Sequence, residues 1–526
     1  MTSMSANAGL LPERVEKAAH ERVAAGTYQT LAFGVVDGDK SEIVTFGQLD
    51  GGKAPDSDTV YEIASITKTF TATLLAQAVI SGHVTLDTPV AQLLPDFEIP
   101  SRDGKEITLG ELATHYSGLP QQASGELVAA KLKAFLAAYK LPRDPGTSYE
   151  YSNLGFALLG HALVQLEHTT YGAALDKEIL KPLGMTMSGV VLTEAMRAHL
   201  APGHDYMGKT AKQMETDAET DAQSGAGAIR STASDMLRYL KANMGIDPSF
   251  LTSAMKLAQQ PRSDMGKTMR IGLAWMTTDK GIVWHNGLLA HGYGSFLGFT
   301  ADGRRGVVIL ANTSANADDL GFATLDADAP LAPTYKAIVL PSASLDDYAG
   351  TYRLGDKFLL VFRMNDELFV RATGQIAIPI FPSAPNEFFA NLAGVRITFT
   401  RDSNGMVSGL VVHQNGDHPA PRLTASELPP ELKGIELDAA TFIDYVGKYQ
   451  FQPGAVLDVA LKRGHLEAQL TGQPAFPIFA SAKDKFFYNV ADAQLDFERE
   501  AGGQVVAVVL HQNGLDIRAP RMTTPH

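Results

Sequence analysis

The chain has 526 residues, of which 45% are hydrophobic and 19% charged, and it contains no cysteine. Such a length predicts roughly two to four domains, and the apolar fraction is that of a globular protein with a buried core. The absence of cysteine excludes disulfides, cysteine nucleophiles and cysteine-ligated metal sites. The net charge of −14 disfavours contact with nucleic-acid phosphates, so we expect no nucleic-acid partner.

The start of the chain, Met1–Leu11, lacks the basic residues and the long apolar stretch of a signal peptide. The most apolar stretch, Thr69–Ile80, is too short to span a bilayer and is typical of a buried helix. We therefore expect no membrane span. The localisation stays open: cytoplasmic as the sequence stands, or periplasmic if a signal was trimmed.

Up to about residue 335, strand and helix patterns alternate in blocks. We predict helices at Pro12–Ala25, Ile66–Ser81, Leu109–His115, Leu127–Ala138, Leu154–Glu167 and Ala233–Met244. We predict strands at Leu31–Val36, Ser41–Phe46, Arg270–Thr277, Ile282–His285, Gly294–Phe299 and Gly306–Leu310. Strands, then helices, then strands indicate an α/β (α+β) domain over residues 1–335, with an antiparallel sheet flanked by helices and a helical region inserted in mid-chain.

The last third of the chain contains an internal repeat, in which Asp347–Tyr352 recurs as Asp444–Tyr449. Four further pairs follow in the same order: Thr373–Gln375 with Thr471–Gln473, Pro379–Phe381 with Pro477–Phe479, Phe388–Phe389 with Phe486–Phe487, and His413–Gly416 with His511–Gly514. Each copy contains about eight short alternating runs between turn residues, enough for a small antiparallel barrel. We predict two lipocalin-like β-barrels, at residues 341–425 and 438–526.

Ser65 and Lys68 open the apolar helix, and residues three apart share a helix face. A serine needs a neighbouring base to become a nucleophile, and burial lowers the pKa of a lysine toward that use. The same spacing at Ser253 and Lys256 indicates only a surface helix, and a helix cap beside a solvated lysine is the simpler interpretation of such a pair.

Two further short motifs follow at a distance. Tyr151 and Asn153 lie just before a helix, where a phenol can act as a base and an amide can bind Lys68 or a substrate carbonyl. His285–Gly287 follows a strand and is also compatible with a simple hairpin turn, since Asn-Gly is a strong turn signal.

Together these three motifs resemble those of the serine β-lactamases, penicillin-binding proteins, D-aminopeptidases and related esterases. Ser65–Lys68 is similar to the Ser-x-x-Lys motif, Tyr151–Asn153 to Tyr-x-Asn, and His285–Gly287 to the His-x-Gly variant of the third motif, which is Lys-Thr-Gly in many members. Further matches are His115–Pro120, Pro182–Met185 and Ser295–Phe299. The resemblance covers about residues 10–320.

The resemblance implies an acyl-enzyme mechanism. Ser65 would attack a carbonyl, while Lys68 and Tyr151 would share the proton transfers. His285 would take the place of the third-motif lysine. That lysine binds the carboxylate of β-lactams, so we expect weak penicillin hydrolysis here.

It also implies the surroundings of the nucleophile. The backbone N–H groups of Ser65 and Leu288 would form the oxyanion hole, and Gln122 matches a position that binds the substrate amide in the class C branch. The substrate-binding residues would further include Asn153, Asn286 and Gly287. His291, nearby in sequence, is either a structural histidine or a group that acts on substrate. The motifs call for no metal and no organic cofactor.

A catalytic domain followed by two β-barrels resembles the layout of bacterial D-aminopeptidase. The barrels would serve as dimerisation or lid elements, or bind apolar ligands, and a homo-oligomer stays open. The expected partner is a small peptide or acyl substrate. We expect a peptidase or amidase on short linear peptides, with D- or non-standard residues or derived from cyclic peptides. A carboxylesterase on short acyl esters is the alternative, and a weak β-lactam-binding sensor is a further one.

Overall fold

The structure, a computed structural model, describes the chain apart from residues 1–8, 122–128, 206–207, 212–223, 290, 356, 365, 374–376, 391–394, 415, 425, 429–433, 436, 453–454, 463, 472–474, 490–492, 513–514 and 523–526. The described residues divide into one compact unit up to Lys336 and a second from Ala337 onward. Among them, no helix combines the length and apolar character needed to cross a membrane.

An eight-stranded antiparallel sheet forms the centre of the first unit. The strands of this unit are Thr30–Asp37 (β1), Lys40–Gly47 (β2), Val60–Glu62 (β3), Arg230–Thr232 (β4), Ser263–Asp264 (β5), Met269–Ile271 (β6), Met276–Thr278 (β7), Ile282–Leu289 (β8), Tyr293–Thr300 (β9) and Arg305–Ala311 (β10). The spatial order of the sheet is β2-β1-β10-β9-β8-β7-β6-β5, and β3 pairs with β4 in a separate two-stranded ribbon. Nearly every residue of β1, β9 and β10 is buried, as expected of strands covered on both faces.

Helices cover both faces of this sheet. They are Glu13–Ala24 (α1), Thr67–Ile80 (α2), Val90–Leu93 (α3), Leu109–Ala113 (α4), Ala129–Ala138 (α5), Asn153–Glu167 (α6), Tyr171–Leu175 (α7), Lys181–Leu183 (α8), Glu194–His199 (α9), Ser224–Gly227 (α10), Ala233–Met244 (α11), Thr252–Gln259 (α12) and Asp318–Leu325 (α13), with a 3-10 turn at Ala64–Ile66 and a π turn at Asp176–Leu180. Helices α1 and α13 pack on one face with a shared hydrophobic core, and α11 packs on β1 and β10. Helix α2 lies among α6, α10 and α12.

The predicted helices and strands are found with small shifts, except for two strands. The strand predicted over Ile282–His285 continues to Leu289 as β8, so His285–Gly287 lies within the strand and not after it or in a hairpin turn. The run predicted over Arg270–Thr277 is divided into β6 and β7 by a turn, in which the Gly272 N–H donates to the Trp275 carbonyl (2.7 Å) and Ala274 has a φ of 63°. The apolar pattern continues through this turn because its side chains are buried, so the pattern alone did not reveal the break.

The second unit consists of two eight-stranded antiparallel barrels, as predicted. A short helix, Ser342–Leu345 (α14), leads into the first barrel, whose strands are Gly350–Leu354 (β11), Lys357–Met364 (β12), Glu367–Ala372 (β13), Ile378–Ala384 (β14), Glu387–Ala390 (β15), Val395–Arg401 (β16), Val407–His413 (β17) and Asp417–Pro421 (β18). Those of the second are Gly447–Gln452 (β19), Ala455–Lys462 (β20), His465–Leu470 (β21), Phe476–Ala482 (β22), Lys485–Tyr488 (β23), Ala493–Arg499 (β24), Val505–Gln512 (β25) and Leu515–Pro520 (β26).

Each barrel is an up-and-down meander in which neighbouring strands pair in sequence order. The first strand meets the chain that follows the last one: the Leu423 N–H donates to the Thr351 carbonyl (2.8 Å) and the Met522 N–H to the Lys448 carbonyl (2.7 Å). Apolar side chains that alternate along the strands fill each interior as a packed core.

Candidate active site

Ser65 lies in the middle of the 3-10 turn that leads into α2, and its side chain is partly exposed. The preceding Ala64 has a φ of 50°, in the left-handed region that residues with a Cβ rarely adopt. Such a turn changes the chain direction just before the serine. The turn lies directly before α2, whose residues 67–76 are buried, while Ser65 itself stays partly exposed.

Lys68, one helical turn later, is fully buried, and its Nζ has three oxygen partners. It lies 2.9 Å from Ser65 Oγ, 2.7 Å from Asn153 Oδ1 and 2.7 Å from the Ala226 carbonyl oxygen. Burial holds the pKa of Lys68 well below its usual range, since the charged ammonium loses its hydration.

The neutral form of this lysine fits its surroundings. A neutral amine has two N–H bonds and one lone pair. The two N–H bonds can be donated to Asn153 Oδ1 and to the Ala226 carbonyl, which leaves the lone pair for the hydroxyl proton of Ser65. The arrangement therefore brings a base within hydrogen-bond distance of the serine.

Tyr151 borders the same centre. Its ring centroid lies 5.0 Å from Lys68 Nζ, and its hydroxyl is hydrogen-bonded to Ser65. Burial raises the pKa of Tyr151, and the bond to Ser65 opposes this only in part. The phenol thus keeps its proton near neutral pH, whereas Lys68 is the group shifted toward deprotonation.

The loop that carries Tyr151 and Asn153 is held by the segment from His115 to Gln121. The Ser152 N–H donates to His115 Nδ1 (3.0 Å), and the Asn153 N–H donates to the Gln121 carbonyl (2.9 Å). Ser152 caps α6 through its hydroxyl, which accepts from the Gly155 N–H (2.8 Å). This network places the Asn153 amide against Lys68.

His115 is itself buried against the Tyr151 ring, with the ring centroids 4.4 Å apart. Because Nδ1 accepts the Ser152 N–H, the neutral ring carries its proton on Nε2, a buried atom without a hydrogen-bond partner among the described residues. Burial, and then the charges of Lys68 and His285, hold the pKa of His115 well below its usual range. The sequence motif contained this residue but gave no reason to assign it a role.

His285 is buried on β8, and its ring centroid is 6.5 Å from that of Tyr151. Its Nδ1 donates to the backbone oxygen of Asn286 (2.6 Å), so the neutral ring has its lone pair on Nε2. Burial lowers the pKa of His285 to about 3, and the charge of Lys68 adds to the effect. In contrast to a third-motif lysine, His285 is a neutral hydrogen-bonding group at physiological pH.

The end of β8 runs along the serine turn as a free strand edge. Strand β7 pairs with β8 only as far as Trp284, so the segment from His285 to Leu289 has no strand on that side among the described residues. Gly287 lies so close to the turn that a Cβ there would be 2.4 Å from the Ile63 carbonyl oxygen and 2.8 Å from the Ala64 Cβ. Leu288 follows on the same edge and is partly buried.

Of the other predicted residues, Asn286 has a partner outside the site. The Asn286 side chain is bonded to Asp318 through its amide nitrogen, with N–O distances of 2.8 and 3.0 Å. Gln122 lies outside the described residues. Its place in the site stays a prediction.

Residues 15–330 match the family model described as Beta-lactamase. The chain belongs to the beta-lactamase family. The matched region takes in Ser65, Lys68, Tyr151 and His285. The repeated segments, residues 334–427 and 433–521, each match a domain of unknown function, DUF3471.

Individual relatives of this beta-lactamase-family chain are distant. It is 28% identical over 229 residues to D-alanyl-D-alanine-carboxypeptidase/endopeptidase AmpH of Escherichia coli, a match over 41% of this chain and 58% of that protein. It is 25% identical over 409 residues to penicillin-binding protein 4* of Bacillus subtilis, over 70% of this chain and 88% of that protein. The solved beta-lactamase/D-alanine carboxypeptidase of Pseudomonas syringae superposes with a TM-score of 0.55 at 21% identity, over 61% of this chain and 100% of that one, which shows the same fold.

One charged cluster of this family domain lies close in sequence to the nucleophile. Buried Glu62 is hydrogen-bonded to His291 Nε2 (3.3 Å) and forms an ion pair with Arg230 (3.4 Å). Burial alone would raise the pKa of Glu62, but the bond to His291 and the charge of Arg230 bring it below its usual value. In the described ranges, no group of three or more His, Asp or Glu side chains is arranged to hold a metal ion.

Proposed function

We propose that this protein is a serine peptidase or amidase that works through an acyl-enzyme on Ser65. The observation that carries the proposal is the environment of Lys68: a fully buried amine, 2.9 Å from the serine hydroxyl, whose other two partners are neutral oxygens. Burial without a carboxylate partner lowers the pKa of such a lysine, which suits a general base.

In the first step, Lys68 Nζ takes the proton of Ser65 as Oγ forms a bond to the substrate carbonyl carbon. The negative charge that develops on the carbonyl oxygen is stabilised by the backbone N–H groups of Ser65 and Leu288. As the C–N bond breaks, the leaving amine takes a proton from the Tyr151 hydroxyl, and Lys68 returns its proton to Tyr151. Water then releases the acyl group by the reverse sequence, which restores Ser65.

For the substrate class, we propose short linear peptides with D- or other non-standard residues. The Escherichia coli relative has the name of a D-alanyl-D-alanine carboxypeptidase and endopeptidase, which supports peptide bonds next to D-residues. Neutral His285 favours substrates that present an N–H donor to its Nε2 over substrates whose free carboxylate needs a cation. This preference points toward aminopeptidase-like substrates and away from penicillins.

A mixed library tests the proposal. It contains L- and D-aminoacyl amides, short linear peptides and simple esters, and products are identified by mass spectrometry for the wild type and for Ser65→Ala. We expect cleavage of C–N bonds that is lost in Ser65→Ala while circular dichroism shows an unchanged fold. The matched control is Ser253→Ala, which alters the exposed serine of the second Ser-x-x-Lys sequence on α12 and should leave turnover unchanged.

Three outcomes would change the assignment. Cleavage of esters alone would establish the carboxylesterase alternative. Acylation of Ser65 without turnover would indicate a sensor. Turnover retained in Ser65→Ala would contradict the nucleophile itself.

A further inference from the structure

Behind the catalytic strand β8, on the face opposite Ser65, lies a carboxylate. Side chains alternate along a strand, so Asn286 projects away from the face that Gly287 presents to the serine turn. The Asn286 amide nitrogen meets both oxygens of Asp318, at 3.0 and 2.8 Å. Asp318 is the first residue of α13, which packs on the sheet.

Asp318 is also held by Asn316, two residues earlier in the chain. Asn316 donates to it through its amide nitrogen (3.1 Å), and the Asp318 N–H donates back to the Asn316 side-chain oxygen (2.7 Å). The titratable and charged groups around it are Asp319, which pairs with Arg22 of α1, and Tyr28. Burial raises the pKa of Asp318 to about 6, so its carboxylate is charged near neutral pH. Hydrogen bonds to a charged acceptor are the stronger kind, which makes Asn286 a firmly held residue.

Asn286 also contacts the catalytic side of β8, through its backbone. Its carbonyl oxygen accepts the Nδ1 proton of His285 at 2.6 Å. This bond sets which ring nitrogen carries the proton and how the ring is turned. A restraint on Asn286 is therefore a restraint on the tautomer and orientation of His285.

The geometry points to Asp318 as a positioning residue that acts through Asn286 on His285. It keeps the His285 proton on Nδ1 and the lone pair on Nε2, where the catalytic face needs an acceptor. It touches neither substrate nor the reacting atoms. The inference rests on the proposed acyl-enzyme chemistry of Ser65.

The kinetic test compares Asp318→Asn with Asp319→Asn in the full-length protein, on a C–N substrate found in the library. Asp318→Asn replaces the charged acceptor with an amide, so we expect kcat to fall about ten- to a hundredfold, the scale for lost partners that orient a functional histidine, with KM within about twofold. Asp319 is the next residue of α13, and Asp319→Asn breaks its ion pair with Arg22 of α1. This variant controls for damage to α13. It should lower the thermal midpoint and keep kcat within about twofold.

A second readout does not depend on turnover. In the wild type labelled with ¹⁵N-histidine, we expect the His285 resonance, assigned by its loss in His285→Gln, to show a fixed Nδ1–H tautomer. Asp318→Asn should convert it to a mixture of tautomers. Asn286→Ala removes the same restraint from the strand side, leaves the Asn316–Asp318 contacts in place, and should give the same mixture even if Asp318→Asn fails to fold.

The outcomes separate this inference from the proposed function. A wild type without Ser65-dependent turnover but with a tautomer that Asp318→Asn disturbs would contradict the proposed function alone. A wild-type tautomer that neither variant changes would overturn the positioning role. An equal loss of kcat in Asp318→Asn and in the control Asp319→Asn would also overturn the positioning role.

Discussion

At the residue scale, the defining feature of the site is three basic side chains that share one buried space. Lys68, His115 and His285 all have pKa values lowered by burial, and the charge of Lys68 lowers those of both histidines further. Like charges at close range in a poorly hydrated site disfavour one another, so the centre accommodates one positive charge at a time. During turnover that charge is on Lys68, once it has taken the proton of Ser65.

Tyr151→Phe should separate amide from ester cleavage. The proposed role of the phenol is to protonate the leaving amine, so we expect the rate of C–N cleavage to fall about a hundredfold, the scale of a lost proton relay. A p-nitrophenolate leaving group needs no proton. Steady-state rates on a p-nitrophenyl ester should therefore fall by no more than about tenfold.

The control for this prediction is Tyr149→Phe, two residues away on the same loop. Tyr149 is packed near His115 and Tyr116 and has no hydrogen bond to Ser65 among those described. Rates close to the wild type are expected for it on both substrates. Equal losses for amide and ester in Tyr151→Phe would show that the phenol acts before bond cleavage and not on the leaving group.

The neutral state of His285 leads to a further prediction, about the charge of the substrate. Its pKa of about 3 leaves it neutral between pH 5 and pH 8, so it forms no ion pair with a substrate carboxylate. We therefore expect kcat/KM for benzylpenicillin and for its methyl ester to differ by less than about threefold, where a lysine pair would contribute about tenfold or more. A strong preference for the free acid, measured by loss of the β-lactam absorbance, would mean that another cation binds the carboxylate.

At the scale of elements, the site depends on how closely the free edge of β8 approaches the serine turn. A Cβ at Gly287 would meet the Ile63 carbonyl and Ser295 Oγ, both at 2.4 Å. Gly287→Ala must therefore move either β8 or the turn, and we expect kcat/KM to fall at least about a hundredfold. Overpacking of this kind also costs about 1–3 kcal/mol of stability, which a thermal melt can measure.

Gly189→Ala is the matched control in the same unit. A Cβ there meets only the Val191 carbonyl, at an ordinary 3.6 Å, so stability and rates should stay close to those of the wild type. If Gly287→Ala behaved in the same way, the close approach of β8 to the serine turn would not be needed for catalysis.

The sequence predicted the long elements better than the contacts between them. Helix α11 is found at the residues predicted, and α6 begins one residue earlier; each starts beside a capping hydroxyl, Thr232 for α11 and Ser152 for α6. Strands β3 and β4 were missed because three residues are too few for any period. The bond between Asn286 and Asp318 joins residues 32 apart without a motif, and no pattern predicts it.

At the scale of the whole molecule, the internal repeat predicted both barrels, and equivalent tyrosines make equivalent hydrogen bonds in each. The Tyr352 hydroxyl donates to the Tyr348 carbonyl (2.6 Å), and the Tyr449 hydroxyl donates to the Tyr445 carbonyl (2.8 Å). All four tyrosines are buried in the cores of their barrels.

The equivalence of the two corners can be measured with Tyr352→Phe and Tyr449→Phe. Each variant removes one hydroxyl and leaves a buried carbonyl without its partner, so we expect a loss of about 1–3 kcal/mol in its own barrel. The two residues belong to separate cores and share no partner among the described residues, so the double variant should show additive losses within about 0.5 kcal/mol. Thermal and denaturant unfolding of the full chain would test this, with turnover by Ser65 as the check that the first unit is intact. Unequal losses, or a coupling energy well above that limit, would mean that the two tyrosines do not contribute equally and independently to stability. The barrels would then share a sequence pattern without being equivalent in stability.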